Sequence, residues 1–278
     1  MKIALTGASG LVGRWIAATA RGAGHDVTAL SRPDYVLGNA PDLSGYDALI
    51  HAAFQHAPGR YRGGEGDDPT GFIHANLDGS IALFEAAKAS GVRRVLFLST
   101  RAVHDGQPEG TRLTDELSPM PTSLYGEVKA KAEAALAAMA TPDFRTASLR
   151  PTGVFGPGQP QKWAAMIRDF VAGKRPPPRV ATEVHGADLG DAALLALTDP
   201  NMSGAYNVSD IVLDHHDLLS GVAVITKART QPPMRADVTV LRIPDCARLQ
   251  ALGWCPTGFE RLHTDLPAIV EESLHSTS

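Results

Sequence analysis

Cysteine is almost absent from this chain: Cys246 and Cys255 are the only two in 278 residues. Two thiols cannot build a disulfide framework, and neither has a metal-ligand spacing. No metal is expected, and the expected compartment is a reducing cytoplasm. Long apolar runs are missing too. No stretch approaches the ~20 residues needed to span a bilayer. Met1-Lys2 leads straight into a strand pattern and then glycines, which is not the layout of a secretory leader. Nor is charge of one sign concentrated. Lys and Arg total 26 against 30 Asp and Glu, a net charge of −4 spread without runs. That argues against nucleic acid or an anionic membrane as partner and leaves a small-molecule substrate. No internal repeat or low-complexity tract occurs.

What is present is an ordinary globular composition, 44% hydrophobic and 20% charged. The length suits one large domain, or one domain with a smaller lobe. Two periodicities alternate. Apolar strand-like runs read "KIALTG", "HDVTAL", "DALIHAA", "RRVLFLS" and "RTASLRP". Helical spacing covers Leu11 to Gly22, Gly71 to Ser90 and Tyr125 to Ala140. Strands alternating with helices predict an α/β fold, a doubly wound parallel sheet of Rossmann type. Val103 to Ser123 reads as a long polar loop. After Pro151 the chain becomes rich in breakers. Residues 1–155 are therefore expected to form a dinucleotide-binding domain, with 182–210 returning to it. The remainder of 156–278 is expected to form a smaller, discontinuous C-terminal substrate lobe.

The first strand ends in Gly7-x-x-Gly10-x-x-Gly13 and opens directly into a helix. Glycine permits a sharp turn at positive φ, lets a pyrophosphate approach the backbone, and lets helix pack close to strand. The helix N-terminus offers N–H groups and partial positive charge. Gly7, Ser9, Gly10, Leu11, Val12 and Gly13 are thus candidate dinucleotide contacts. At the end of the second strand stand Ser31 and Arg32, with no carboxylate at the tip. A guanidinium there suits the 2′-phosphate of NADP, which is favoured over NAD, although Asp34 lies close by.

Tyr125 and Lys129 lie four apart, on one face of a helix start. An ammonium beside a phenol favours the phenolate, so the pair can exchange a proton with a hydroxyl or carbonyl. The strand "VLFLST" ends in Ser99 and Thr100, hydroxyls that could bind the reacting oxygen at the cofactor crevice.

"TGASGLVG", "STRAVHD" and "YGEVK" together resemble the extended short-chain dehydrogenase/reductase superfamily, in its NAD(P)-dependent epimerase/dehydratase branch. More of the chain agrees in order: "DALIHAA", "NLDGSIALFEAAKASGVRRVLFLST", "LRPTGVFGPGQ", "VHGADLGDAALLAL" and "DCARLQALGWCPT". The resemblance implies that Thr100 is the catalytic hydroxyl with Ser99 its neighbour. It implies cofactor contacts at Ala52, Ala53, Asn76, Lys129, Pro151 and Val154. His51 reads instead as a packed strand residue. The same resemblance implies a homodimer through the helices 71–90 and 125–140. His104-Asp105 replaces the family's usual Tyr-Gly. Ala181 stands where sugar-nucleotide enzymes carry a diphosphate-binding arginine, with Arg179 two residues away. Lys162 and Trp163 could meet a substrate, Trp163 equally serving as core. His215 and His216 read as polar surface rather than metal ligands.

The function expected is hydride transfer between nicotinamide and a carbinol or ketone carbon, of a sugar or sugar nucleotide, with Tyr125 as acid/base. Two alternatives stay open: an NADP-dependent reductase of a non-nucleotide carbonyl compound, and a dinucleotide-sensing regulator. Arg101 after Thr100, where a dehydratase would want a carboxylate, disfavours dehydration.

Overall fold

The computed structural model describes residues 1–33, 35–56 and 64–275. Strand β1 (Lys2–Thr6) is followed by α1 (Gly13–Gly22), β2 (Asp26–Leu30) and β3 (Ala48–His51). A helical stretch begins with α2 (Pro69–Ile73), where Asp68 caps by accepting from the Gly71 N–H at 2.8 Å. It passes through a π-helical turn (His74–Asp78) into α3 (Gly79–Ala89). Next come β4 (Arg94–Leu98), a 3₁₀ turn (Arg101–His104), β5 (Arg112–Leu113), α4 (Leu124–Ala138) and β6 (Arg145–Pro151). The chain then runs through β7 (Gly153–Phe155), α5 (Ala164–Val171), β8 (Val180–His185), α6 (Gly186–Thr198) and β9 (Gly204–Val208). It ends with β10 (Ile211–Asp214), α7 (His215–Thr226), β11 (Ile243–Pro244), α8 (Ala247–Ala251) and α9 (Phe259–His275). Among the described residues no helix is long and apolar enough to cross a membrane.

Six strands form one parallel sheet in the order β2-β1-β3-β4-β6-β9. Its strands are apolar on both faces because helices cover both. Ile3, Leu5, Ile50, Leu96 and Leu98 point to one side and pack on Ile16, Ala17 and Ala20 of α1 and Leu189 and Ala192 of α6. Their alternates Ala4, Leu49, Val95 and Phe97 point to the other and meet Leu83, Phe84 and Ala87 of α3 and Ala132 and Leu136 of α4. From β1 the chain goes outward to β2 and then back across to β3, so the winding order reverses between β1 and β3 and a crevice opens at the carboxyl ends of those parallel strands.

A second sheet, β10-β8-β7, lies under its own core of Phe155, Trp163, Ile167, Phe170, Leu213 and Leu219. The chain returns to the main sheet through α6 and β9. The stretch around Cys246, Leu249 and Trp254 also joins the first core.

The helix expected over 71–90 is interrupted by its π turn. Asn76 sits in that turn, and its amide reaches the Phe72 carbonyl at 3.0 Å and the Gln55 backbone on both sides. Those bonds pin the segment after β3 and account for the widened turn.

Candidate active site

The glycine turn leaves β1 with Gly7 at φ +72°, where a Cβ would lie 2.6 Å from the Ala53 nitrogen. Backbone from β1 and β3 therefore meets there with no room for a side chain. At Gly13 a Cβ would overlap the Gly7 carbonyl, which is what holds the start of α1 against the turn. No side chain caps α1. The Arg14 and Trp15 N–H groups donate to the Gly10 and Val12 carbonyls at 3.2 and 3.1 Å, so the turn itself closes the start of the helix at the mouth of the crevice.

A cleft of about 570 Å³ opens above this turn. It brings together Gly7, Ser9, Gly10, Leu11, Val12, Gly13, Ala52, Ser99, Thr100, Tyr125, Lys129, Pro151 and Val154 from the sequence analysis. A neighbouring cavity of about 310 Å³ at the end of β2 takes Arg32 and Ala53 together with Leu30, Tyr35 and Gln55. Ser31 is exposed beside it and lines neither cavity. Asn76 lines neither, its amide being taken up by backbone. Asp34 lies outside the described residues.

His51, at the end of β3, is fully buried. Its ring bridges Thr6 Oγ1 at 2.7 Å and Ser80 Oγ at 2.9 Å. Burial, and then the nearby Lys129 charge, push it down to about 3. It is a neutral strut between sheet and α3.

Ser123 starts α4 by accepting from the Gly126 N–H at 3.2 Å. Tyr125 then falls in the first turn, half-buried, with Lys129 one turn further on. At Gly126 a Cβ would lie 2.8 Å from the Ala102 carbonyl. The missing side chain lets α4 lean on the 3₁₀ turn and brings Tyr125 to the same wall as Thr100. The Lys129 ammonium is almost completely buried. It donates to the Leu98 carbonyl at 2.5 Å and lies between the rings of Phe54 and Phe97, 4.6 and 4.5 Å from their centroids. Burial lowers its pKa to about 7, against the opposing pull of Glu133 one turn along.

Ser99 and Thr100 end the β4 edge of the cleft. Thr100 caps the 3₁₀ turn, its Oγ1 accepting from the Ala102 N–H at 3.2 Å, so its own proton can be offered to a ligand. Ser99 Oγ is buried with no hydrogen-bond partner among the described residues. Arg150, near the end of β6, is buried in a network that ties these elements together. It donates to Glu133 of α4 at 2.6–3.1 Å, to His104 Nε2 at 3.1 Å and to the Asp115 carbonyl at 3.1 Å.

Sequence reasoning missed Phe54 and His56, which line both cavities, and Thr152 and Gly153 in the larger one, where Arg101 also lies. The signal for Phe54 was its place directly after Ala53 at a strand end. Lys162 does reach the cleft, paired with Glu183 of β8. Trp163 does not: it stacks on Phe155 in the core beside the second sheet, centroids 5.4 Å apart. Arg179 is exposed and, like Ala181, lines no part of this cleft. His216 Nδ1 faces the Pro233 carbonyl at 2.8 Å, while Asp214 caps α7.

A family model for NAD dependent epimerases and dehydratases matches residues 3–209. The UDP-glucose 4-epimerase of Corynebacterium glutamicum is 26% identical over 327 aligned positions, covering 100% of this chain and 96% of that protein. Among solved structures, MoeE5 in complex with UDP-glucose and NAD superposes with a TM-score of 0.81 at 23% identity, each chain covered completely. RMD from Pseudomonas aeruginosa, complexed with NADPH, superposes at 0.80 with 24% identity, covering 98% of this chain and 99% of that one. These structures share the fold, and the family model fixes the lineage: with a glycine turn, a Tyr-x-x-x-Lys helix and a strand-end Ser-Thr on one crevice, the chain belongs to the NAD-dependent epimerase/dehydratase family of enzymes.

Proposed function

We propose that this chain interconverts a sugar nucleotide at a carbinol carbon, with Tyr125 as the acid/base, as its epimerase relatives' names suggest. The observation that carries the reading is the meeting of Tyr125, Lys129, Ser99 and Thr100 on one cleft, floored by Gly7–Gly13. The glycine turn fits a dinucleotide pyrophosphate. Added Cβ atoms would fill the cradle, and no side chain caps α1. When bound, the nicotinamide supplies reversible hydride acceptance from the carbinol carbon.

The chain's own residues handle the oxygen and its proton. Ser99 Oγ, without a protein partner, and Thr100 Oγ1 hold the substrate oxygen. The Tyr125 phenol takes the hydroxyl proton as the carbinol is oxidised and returns it on reduction. Lys129, when protonated, favours the phenolate. With its own pKa near 7, its charge is divided between two forms close to neutrality.

Arg32, at the wall of the smaller cavity, supports NADP over NAD. The dimer reading rests on α3 and α4, which lie side by side on one face of the sheet; light scattering would measure it. One observation favours the reductase alternative: neither Arg179 nor Ala181 brings a guanidinium to the substrate end. The test is to incubate purified protein with UDP-glucose and NAD and follow the C4 epimer by chromatography. Tyr125→Phe should abolish turnover and leave cofactor fluorescence titration unchanged. NADPH consumption with simple aldehydes, and no epimer, would instead establish the reductase.

A further inference from the structure

Lys162 stands in the loop between β7 and α5 and reaches the cleft from the side of the second sheet. Its ammonium pairs with Glu183 of β8, whose side chain is only 6% exposed. The pair sits directly over Gly153, at the start of β7. A Cβ on Gly153 would overlap both the carboxylate and the ammonium. The backbone is thus bare where the ion pair must fit, one residue beyond Thr152 in the cleft wall. Arg101 is a second cleft cation outside the Tyr-Lys helix. It is paired in turn with Asp105 at 2.8 Å. Both positive groups at this end therefore carry a carboxylate of the same chain.

From this geometry we infer that the Lys162–Glu183 pair selects substrates whose glycosyl unit is uncharged and hydroxylated, and rejects those carrying a carboxylate. The inference rests on the sugar-nucleotide reading above and adds the charge class of the sugar. Lys162 lines the cleft, while Glu183 lies behind it and outside the cleft lining. A paired ammonium still has hydrogens to donate to a sugar hydroxyl, and its buried carboxylate partner balances its charge. A uronate gains little from an ammonium whose charge its own buried carboxylate already balances. Its carboxylate would lose water at the cleft wall for a weakened attraction. The pair therefore acts partly by exclusion.

The test is calorimetric titration of the protein, saturated with whichever of NADP and NAD it binds more tightly, with UDP-glucose and with UDP-glucuronic acid. Wild-type protein should bind the glucose compound at least tenfold more tightly. Glu183→Gln leaves the ammonium uncompensated and should move the preference at least tenfold toward the glucuronate. Lys162→Gln leaves a lone carboxylate and should move it the other way. A purely structural role for the pair would weaken both ligands in parallel in each variant. That result, or wild-type protein binding the glucuronate as well as the glucose compound, overturns the inference without touching the sugar-nucleotide reading. Binding of neither compound overturns both. The wild-type comparison stands even if a variant fails to fold.

Discussion

Phe54 stands edge-on to Tyr125, ring centroids 5.1 Å apart at 90°, while its face lies 4.6 Å from the Lys129 ammonium. One side chain thus packs the phenol and helps keep water from the amine. Burial is the main cause that lowers Lys129 to about 7. Phe54→Ala should hydrate the amine and raise its pKa by at least one unit, toward the ordinary ~10.4. Acetylation rate at Lys129 against pH, read by mass spectrometry, measures this without any assay of turnover. An unchanged profile would assign the desolvation to Phe97 and the Leu98 carbonyl instead.

Gly13→Ala tests the turn. The new methyl has no space beside the Gly7 carbonyl, so α1 must move away from β1. Cofactor affinity should fall at least tenfold, about 1.4 kcal/mol, because the phosphate cradle moves with the helix. Gly24→Ala is the control. Gly24 also has positive φ (+81°), but nothing lies within 4 Å of the added Cβ. It should cost some stability through backbone strain and leave affinity unchanged. Fluorescence titration with NADH and NADPH separates the two.

The central sheet was legible because its strands are apolar on both faces, so "VLFLS" and "ALIHA" stand out whatever surrounds them. The glycine spacing was legible because steric closeness leaves one residue type possible at Gly7 and Gly13. The sixth strand was not. Gly204–Val208, "GAYNV", has a glycine and a buried asparagine in five residues. Asn207 is tolerated there only because Asp115 accepts its N–H at 2.6 Å and the Leu113 carbonyl accepts its amide at 2.8 Å. Those partners come from the 103–123 segment, which the sequence showed only as a polar loop. Lys162 could be noticed from its neighbours in sequence. Its carboxylate partner is 21 positions away, and only the packing of β7 on β8 joins them.

The proposed preference for NADP is tested at Arg32. Its guanidinium is exposed at the rim of the smaller cavity, where a 2′-phosphate could be met by a charge-assisted bond. Arg32→Ala should weaken NADPH roughly tenfold or more, the equivalent of about 1.5–3 kcal/mol for a bond to a charged group. NADH binding should change little, because its ribose hydroxyl carries no charge. Salt should erode the NADPH preference of the wild type and not of the variant. Equal losses for the two cofactors would give the arginine a structural role.

Acid sensitivity follows from two buried imidazoles. His104 accepts from Arg150 at Nε2, since a guanidinium can only donate, and its ring must therefore stay neutral. Burial, then Arg150 and Arg101, push it down to about 4, and His51 lies at about 3. In the unfolded chain both take up a proton near ~6.5. Asp115 opposes them: burial raises it to about 6, so between roughly 4 and 6 the folded state keeps a proton that the unfolded state has released. Among these three groups two protons favour unfolding and one opposes it, a contribution of about 1.4 kcal/mol per pH unit lost as pH drops through that window. His185 and His215, lowered mainly by burial, add to the loss, and Asp191 and Asp210, raised mainly by burial, oppose it. Replacing His104 by Gln keeps an acceptor for Arg150 and removes one titrating group. The slope between pH 6 and pH 4 should become shallower by about 1.4 kcal/mol per pH unit, the contribution of one proton. Urea unfolding of both proteins at pH 7, 6 and 5 measures it. Equal slopes for the wild type and the His104→Gln variant would mean that His104 becomes protonated without leaving its place, which the His104–Arg150 contact forbids.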